Sequence, residues 1–219
     1  RFIARRPMSI IRKFITCRQQ RINAANRRRL TNHTPTLICS NCTGGVLYHW
    51  LGLEFRSPFI NLYMDNPDFL SAMEHFDEFI HADITEDTAS DKPYPVGVGP
   101  RGERIHFMHY PDFATAKAKW IERRQRIDTD NMAVMLTNLG VGTECIGGGK
   151  STVIQRFNRL PFKNKLIFSG EAVDAPNIVH LKGYSKVEKH KNIFGTQTLL
   201  GRRYIDQFDY VDFINHLKD

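Results

Sequence analysis

The chain has no run of about eighteen apolar residues, so the sequence predicts no membrane-spanning helix. Its basic start also lacks the continuous apolar core and small-residue cleavage site of a signal peptide. Four cysteines (Cys17, Cys39, Cys42 and Cys145) are too few and too scattered for a disulfide scaffold in 219 residues. A reducing, cytoplasmic setting is expected. The pair Cys39-x-x-Cys42 stands alone, with no second Cys-x-x-Cys and no close histidine pair at metal-ligand spacing. No metal site is therefore predicted, and Ser-Asn between the thiols is not the usual redox insert. Gly147-Gly148-Gly149-Lys150-Ser151 imitates a phosphate loop, but Glu144 stands where that pattern needs its first glycine. The reading excludes an ATPase and leaves a loop feeding a helix.

Acidic residues are missing from one region altogether. Residues 1–30 hold nine Arg and one Lys with no Asp or Glu, a charge of +10 against +8 for the whole chain. The remaining residues therefore carry −2. The isoelectric point of 9.4 belongs to this basic arm and does not describe a nucleic-acid-binding globular surface, and no specific nucleic-acid partner is expected. Within residues 8–29, Ile11, Ile15 and Ile22 fall near one helical face with Ile10 and Phe14 beside them, and arginines occupy much of the rest. Two readings stand: a solvated basic arm, or attachment to an anionic membrane surface at the inner face of a plasma membrane.

From Thr34 onward strand and helix signals alternate. Strands are expected at Pro35–Cys39, Ser57–Met64, Arg104–His109, Met132–Thr137, Leu166–Ser169 and Ile178–Leu181. Helices are expected from Pro67-Asp68 to Ile80, from Asp112 to Ile127, from Ser151 to Phe157, and from about Gln197 to His216. Residues 83–103, rich in Asp, Pro and Gly, read as a long loop or lid. The alternation predicts a three-layer α/β/α domain over residues 34–219 with a mostly parallel sheet, preceded by an arm over residues 1–33.

The richest stretch is Cys39-Ser40-Asn41-Cys42-Thr43-Gly44-Gly45, a polar glycine-rich turn between a buried strand and a helix. Such a turn lies at the carboxyl edge of a parallel sheet, where open α/β folds bind ligands. Ser40, Asn41, Gly44 and Gly45 are therefore candidates for ligand contact, and the helix start favours an anionic group there. Cys42 at that helix start is a candidate nucleophile with His49 or His109 as its base, or else a small side chain packing the turn. His106 and His109 are three apart on a strand and face opposite sides of it. His109, at the strand's end, is the candidate general acid or base. Lys119, Arg123 and Arg126 share a helical face and can grip phosphate, or form a solvated face neutralised by Glu122, Asp128 and Asp130. Asp128-Thr129-Asp130 has the letters of a metal motif of glycosyltransferases, but it sits on the wrong edge of the sheet.

Taken together, several segments resemble a bacterial family of unknown biochemical function commonly labelled exopolysaccharide biosynthesis protein. They are Ser40–Gly45 with Tyr48 and Leu51-Gly52-Leu53, Ser57–Leu62, Tyr94–Gly97, Ile105–Tyr110, Lys119-Trp120 with Arg123, Arg126-Ile127 and Asn131, and Leu160–Lys165. The likeness spans about residues 36–170. It implies an α/β fold, a link to surface polysaccharide, and Tyr48, Tyr110 and Asn131 as further ligand-facing candidates. Family members usually carry Ser-Asn-Asn-Cys at the first turn, where this chain has Cys39-Ser40-Asn41-Cys42.

These readings converge on a glycosyl- or sugar-phosphate transferase in capsule or exopolysaccharide synthesis, using a nucleotide-sugar donor without metal and a saccharide or glycan acceptor. Two other classes stay open: a polysaccharide acyltransferase or esterase working through Cys42, and a non-catalytic glycan-binding or assembly factor.

Overall fold

The computed structural model describes residues 10–139, 150–184, 193–198 and 200–219. The glycine run Gly147–Gly149 lies outside them. A basic helix α1 (Ile10–Arg29) leads into strand β1 (Thr36–Cys39) and helix α2 (Thr43–Leu51). Helices α3 (Asn66–Glu74) and α4 (Phe76–His81) follow, then strands β2 (Thr85–Glu86), β3 (Val96–Val98) and β4 (Arg104–His106). Helix α5 (Phe113–Arg124), strand β5 (Met132–Leu139), helix α6 (Lys150–Arg159), strands β6 (Asn164–Ser169) and β7 (Ile178–His180), and helix α7 (Tyr210–Asn215) complete the chain.

The main sheet has the order β1-β5-β6-β7, and every pair in it is parallel. A smaller antiparallel sheet holds β2, β3 and β4. Side chains alternate across the main sheet as a two-residue period requires. Ile38, Val134, Leu136 and Ile167 face one core, filled out by α3, α4, α6 and Trp120 of α5. Leu37, Cys39, Ala133, Met135, Leu166 and Phe168 face the other, covered by α2, α7 and Leu30. The predicted three-layer α/β fold with a mostly parallel sheet is what the structure has.

The local chemistry explains where elements begin and end. Asp112 caps α5 by accepting from the Thr115 amide at 2.7 Å, and Pro67 sits in the first turn of α3. Helix α2 stops at Gly52, whose φ of 71° is the left-handed conformation that suits a glycine C-cap. The expected single helix to Ile80 breaks at His75.

Three other expectations need correction. Residues 57–64 form no strand, because Pro58 supplies no ladder donor and Asn61 adopts a left-handed φ of 61°; only Tyr63 pairs, with His106. Residues 83–103 contain β2 and β3 and pair with β4, so β4 belongs to the small sheet. The long final helix is instead a short 3₁₀ turn at Tyr204–Gln207 followed by α7, because the buried pair of Arg203 and Asp206 fixes the turn.

Candidate functional site

The carboxyl edge of the main sheet is closed by the turn that follows β1. Ser40 is buried there: its amide donates to the Met135 carbonyl at 3.1 Å and its hydroxyl accepts from the Thr137 amide at 3.0 Å. It ties β1 to β5. Asn41 accepts from both the amide and the hydroxyl of Thr43, at 3.0 and 2.6 Å, and so anchors the start of α2. The two glycines serve packing. A Cβ on Gly44 would stand 3.0 Å from the Cys39 sulfur, and one on Gly45 would stand 3.3 Å from Ile60. Close approach of α2 to its neighbours favours glycine at these two places.

Residues 60–64 lie alongside this turn. The Met64 amide donates to the Ser40 carbonyl at 2.9 Å, and the Cys42 thiol reaches the Leu62 carbonyl at 3.6 Å. On the other side of the segment, Tyr63 and His106 exchange backbone hydrogen bonds of 3.0 and 2.9 Å, and the Tyr110 hydroxyl donates to the Ile60 carbonyl at 3.1 Å. A strip of backbone thus runs between the start of α2 and residues 106–110. Ile60 and Tyr63, the two ends of this strip, are at most about 10 Å apart by chain length.

At the Ile60 end stands Arg123. Its guanidinium donates to the Tyr110 hydroxyl at 2.7 Å and lies 5.1 Å from the centre of the Phe55 ring. Among the described residues it pairs with no carboxylate. Its neighbours on α5 are spent otherwise. Lys119 bonds Glu122 at 2.6 Å, Arg126 pairs with Glu122 and Glu54 and donates to the Phe55 carbonyl, and Arg124 donates to the carbonyls of Ile80, His81 and Ala82. Of the three predicted phosphate-gripping cations, Arg123 is the one without a carboxylate partner among the described residues.

At the Tyr63 end is a cluster that the pattern of the sequence did not single out. The His106 ring stacks on Tyr63 with centroids 4.3 Å apart and planes 4° from parallel, and Tyr94 meets it edge-on at 6.0 Å. The hydroxyls of Tyr63 and Tyr94 are 3.0 Å apart. His106 is buried, and its Nδ1 finds no partner among the described residues. Burial holds its pKa below the usual histidine value, so the ring is neutral at pH 7. His109, the residue expected to act as acid or base, lies exposed in the turn after β4. The two histidines do differ in environment, but the enclosed one is His106.

The remaining candidates fall elsewhere. Tyr48 is a core strut whose hydroxyl accepts from the Leu37 amide at 2.9 Å and donates to the Pro35 carbonyl at 2.8 Å. Asn131 is buried at the start of β5, the opposite edge of the sheet, bonded to Asn32 and Thr34. His49 is exposed in the last turn of α2, two turns from Cys42, and cannot serve as its base. Burial pushes the Cys42 thiol above its usual pKa, against the lowering expected at a helix start, and leaves it a thiol at neutral pH. The structure brings together Asn41, Cys42, Tyr110 and Arg123, and adds Asn61, Tyr63, Tyr94 and His106. Asn61 is exposed in its left-handed conformation, with its amide oxygen 3.9 Å from where a Gly45 Cβ would be. Among the described residues no group of three or more His, Cys, Asp or Glu is placed to hold a metal ion.

Residues 13–215 match the model of a family described as "Domain of unknown function (DUF1919)". The chain is also similar to an uncharacterized protein of Haemophilus influenzae, 37% identical over 212 residues that cover 96% of this chain and 98% of that protein. The family match takes in residues 41–123, and the chain belongs to this DUF1919 family.

Proposed function

We propose that the chain is a transferase that takes a phosphate-bearing activated sugar, most simply a nucleotide sugar, in the assembly of a bacterial surface polysaccharide. The observation that carries this reading is Arg123: a half-buried guanidinium with no carboxylate partner among the described residues, bonded to the Tyr110 hydroxyl and set over the Phe55 ring. A guanidinium so placed favours a planar, bidentate hold on phosphate. The polysaccharide setting rests on the sequence resemblance alone.

In this reading the diphosphate lies at Arg123 and Tyr110, with Asn61 above the α2 start. The sugar extends along residues 60–63 toward Tyr63 and Tyr94. His106, kept neutral by burial, accepts the proton of the acceptor hydroxyl as that oxygen attacks the anomeric carbon. The bond from that carbon to the phosphate oxygen breaks, and the nucleoside diphosphate leaves with its charge held by Arg123. Cys42 takes no covalent part, since its thiol is held protonated and spent on the Leu62 carbonyl.

The test is release of nucleoside diphosphate from a panel of nucleotide sugars with bacterial glycan acceptors. Turnover with one donor is expected. It should fall about a hundredfold in kcat for His106→Ala and change little for His109→Ala. Turnover abolished by Cys42→Ala, with an acyl group trapped on the wild-type thiol, would replace this reading by acyl transfer.

A further inference from the structure

Helix α1 is two different objects along its length. Its second half is tied to the domain. Asn26 donates to the Tyr210 hydroxyl at 2.7 Å, Arg27 to the Trp50 carbonyl at 2.7 Å, and Arg29 pairs with Asp209. Ile15 and Ile22, expected with Ile11 near one helical face, are half-buried, whereas Ile11 is exposed. Its first turns are different. Ile10, Ile11 and Phe14 are 86, 63 and 51% exposed. They are three of the five large hydrophobic side chains that stand exposed among the described residues, and a fourth, Leu200, adjoins Gly201, whose backbone sits against Ile15 and Arg18.

Helical spacing continues this apolar patch into a cationic one. At 100° per residue, Ile10, Phe14, Arg18 and Arg21 fall on one stripe with Ile11 at its edge, and Lys13 flanks it. Lys13, Arg18 and Arg21 pair with no carboxylate among the described residues, and α1 contains no acidic residue at all. Beside the stripe, a groove of about 640 Å³ is lined by Ile22, Leu200 and Phe208 together with Arg18, Arg202 and the carboxylates Asp206 and Asp209.

We propose that this face, Ile10, Ile11 and Phe14 with Leu200 and the cations Lys13, Arg18 and Arg21, docks the protein on an anionic phospholipid bilayer. The apolar side chains enter the headgroup boundary and the cations meet lipid phosphates, the combination that fixes interfacial helices. The charge pattern favours this occupant over a second copy of the chain: the unpaired charges of the face are all cations, since Asp206 and Asp209 beside it are paired with Arg203 and Arg29, and two such faces repel. The inference is independent of what the crevice binds.

The test is co-sedimentation of the full chain with vesicles of equal parts phosphatidylglycerol and phosphatidylcholine, against phosphatidylcholine alone. Binding is expected on the anionic vesicles only, weakening with added salt. Each charge reversal at Arg18 or Arg21 should lower the partition coefficient at least about fivefold. Ile11→Asp with Phe14→Asp should abolish binding while the melting temperature stays at the wild-type value, since both residues are exposed; Met108→Asp, at an exposed apolar residue elsewhere, should leave binding intact. Equal binding to both vesicle types, none to either, or binding unchanged by the double substitution would overturn the proposal. So would a dimer of the wild type that the double substitution dissociates.

Discussion

Arg123 and its neighbour Arg124 show how one position on a helix changes the task of the same side chain. Arg124 donates to three carbonyls at the end of α4 and so caps that helix. Arg124→Ala is expected to cost about 1 kcal/mol, read as a lower urea midpoint at unchanged slope. Arg123→Gln should leave the midpoint close to wild type. Gly44 gives a second prediction at this scale. Alanine there meets the Cys39 sulfur against the buried strand, and Gly44→Ala should destabilise by about 1–3 kcal/mol.

His106 makes stability depend on pH with a definite sign. Burial lowers its folded pKa below the unfolded value near 6.5, with Asp65 and Asp87 opposing the shift and Lys92 and Arg104 adding to it. Below that pH the unfolded chain takes a proton that the folded ring resists, so stability falls as the pH drops through the range just under 6.5. His106→Phe keeps an aromatic ring against Tyr63 and should flatten that slope, measured as melting temperature against pH relative to wild type. Exposed His216, whose pKa is raised by Asp212, contributes the opposite sign and cancels in the comparison.

At the scale of elements, β1, β5, β6, β7 and α5 are legible in the sequence because apolar runs and an N-cap aspartate mark them directly. The glycines after β1 are legible as special but not as to purpose: spacing does not distinguish a glycine that admits a ligand from one that admits the Cys39 sulfur. The apolar run Ser57–Met64 reads as a strand, yet Pro58 and Asn61 turn it into a strip laid across the sheet edge. That tertiary placement is what brings Cys42 to Tyr110 and His106, which lie more than sixty residues further along the chain. His106 is enclosed by Tyr63 and Tyr94 from two other segments, and no local pattern announces such a cluster. Asn131 and Tyr48 resemble site residues by type, but the structure uses them to satisfy buried backbone and side-chain groups.

For the whole molecule, the division falls inside α1 and not at the end of a basic arm. Deleting residues 1–14 removes, among the described residues, only the exposed side chains of residues 10–14, and the melting temperature should stay within a few degrees of wild type. Deleting residues 1–33 strips Leu30 and the contacts of Asn26, Arg27 and Arg29 from the core covered by α7. That truncation should lower stability by several kcal/mol or yield aggregated protein, read by thermal melting and gel filtration. Ligand studies on the molecule therefore belong to the full chain.

The most direct test of the account is calorimetric titration of nucleotide sugars into the full chain and its Arg123→Gln and Arg126→Gln variants. A charged hydrogen bond contributes about 1.5–3 kcal/mol, so Arg123→Gln should weaken binding of the recognised donor by roughly tenfold to a hundredfold. Arg126, already paired with Glu122 and Glu54, should be replaceable with little loss. Donor binding that survives Arg123→Gln unchanged, or that falls equally in both variants, would contradict the assignment of the crevice.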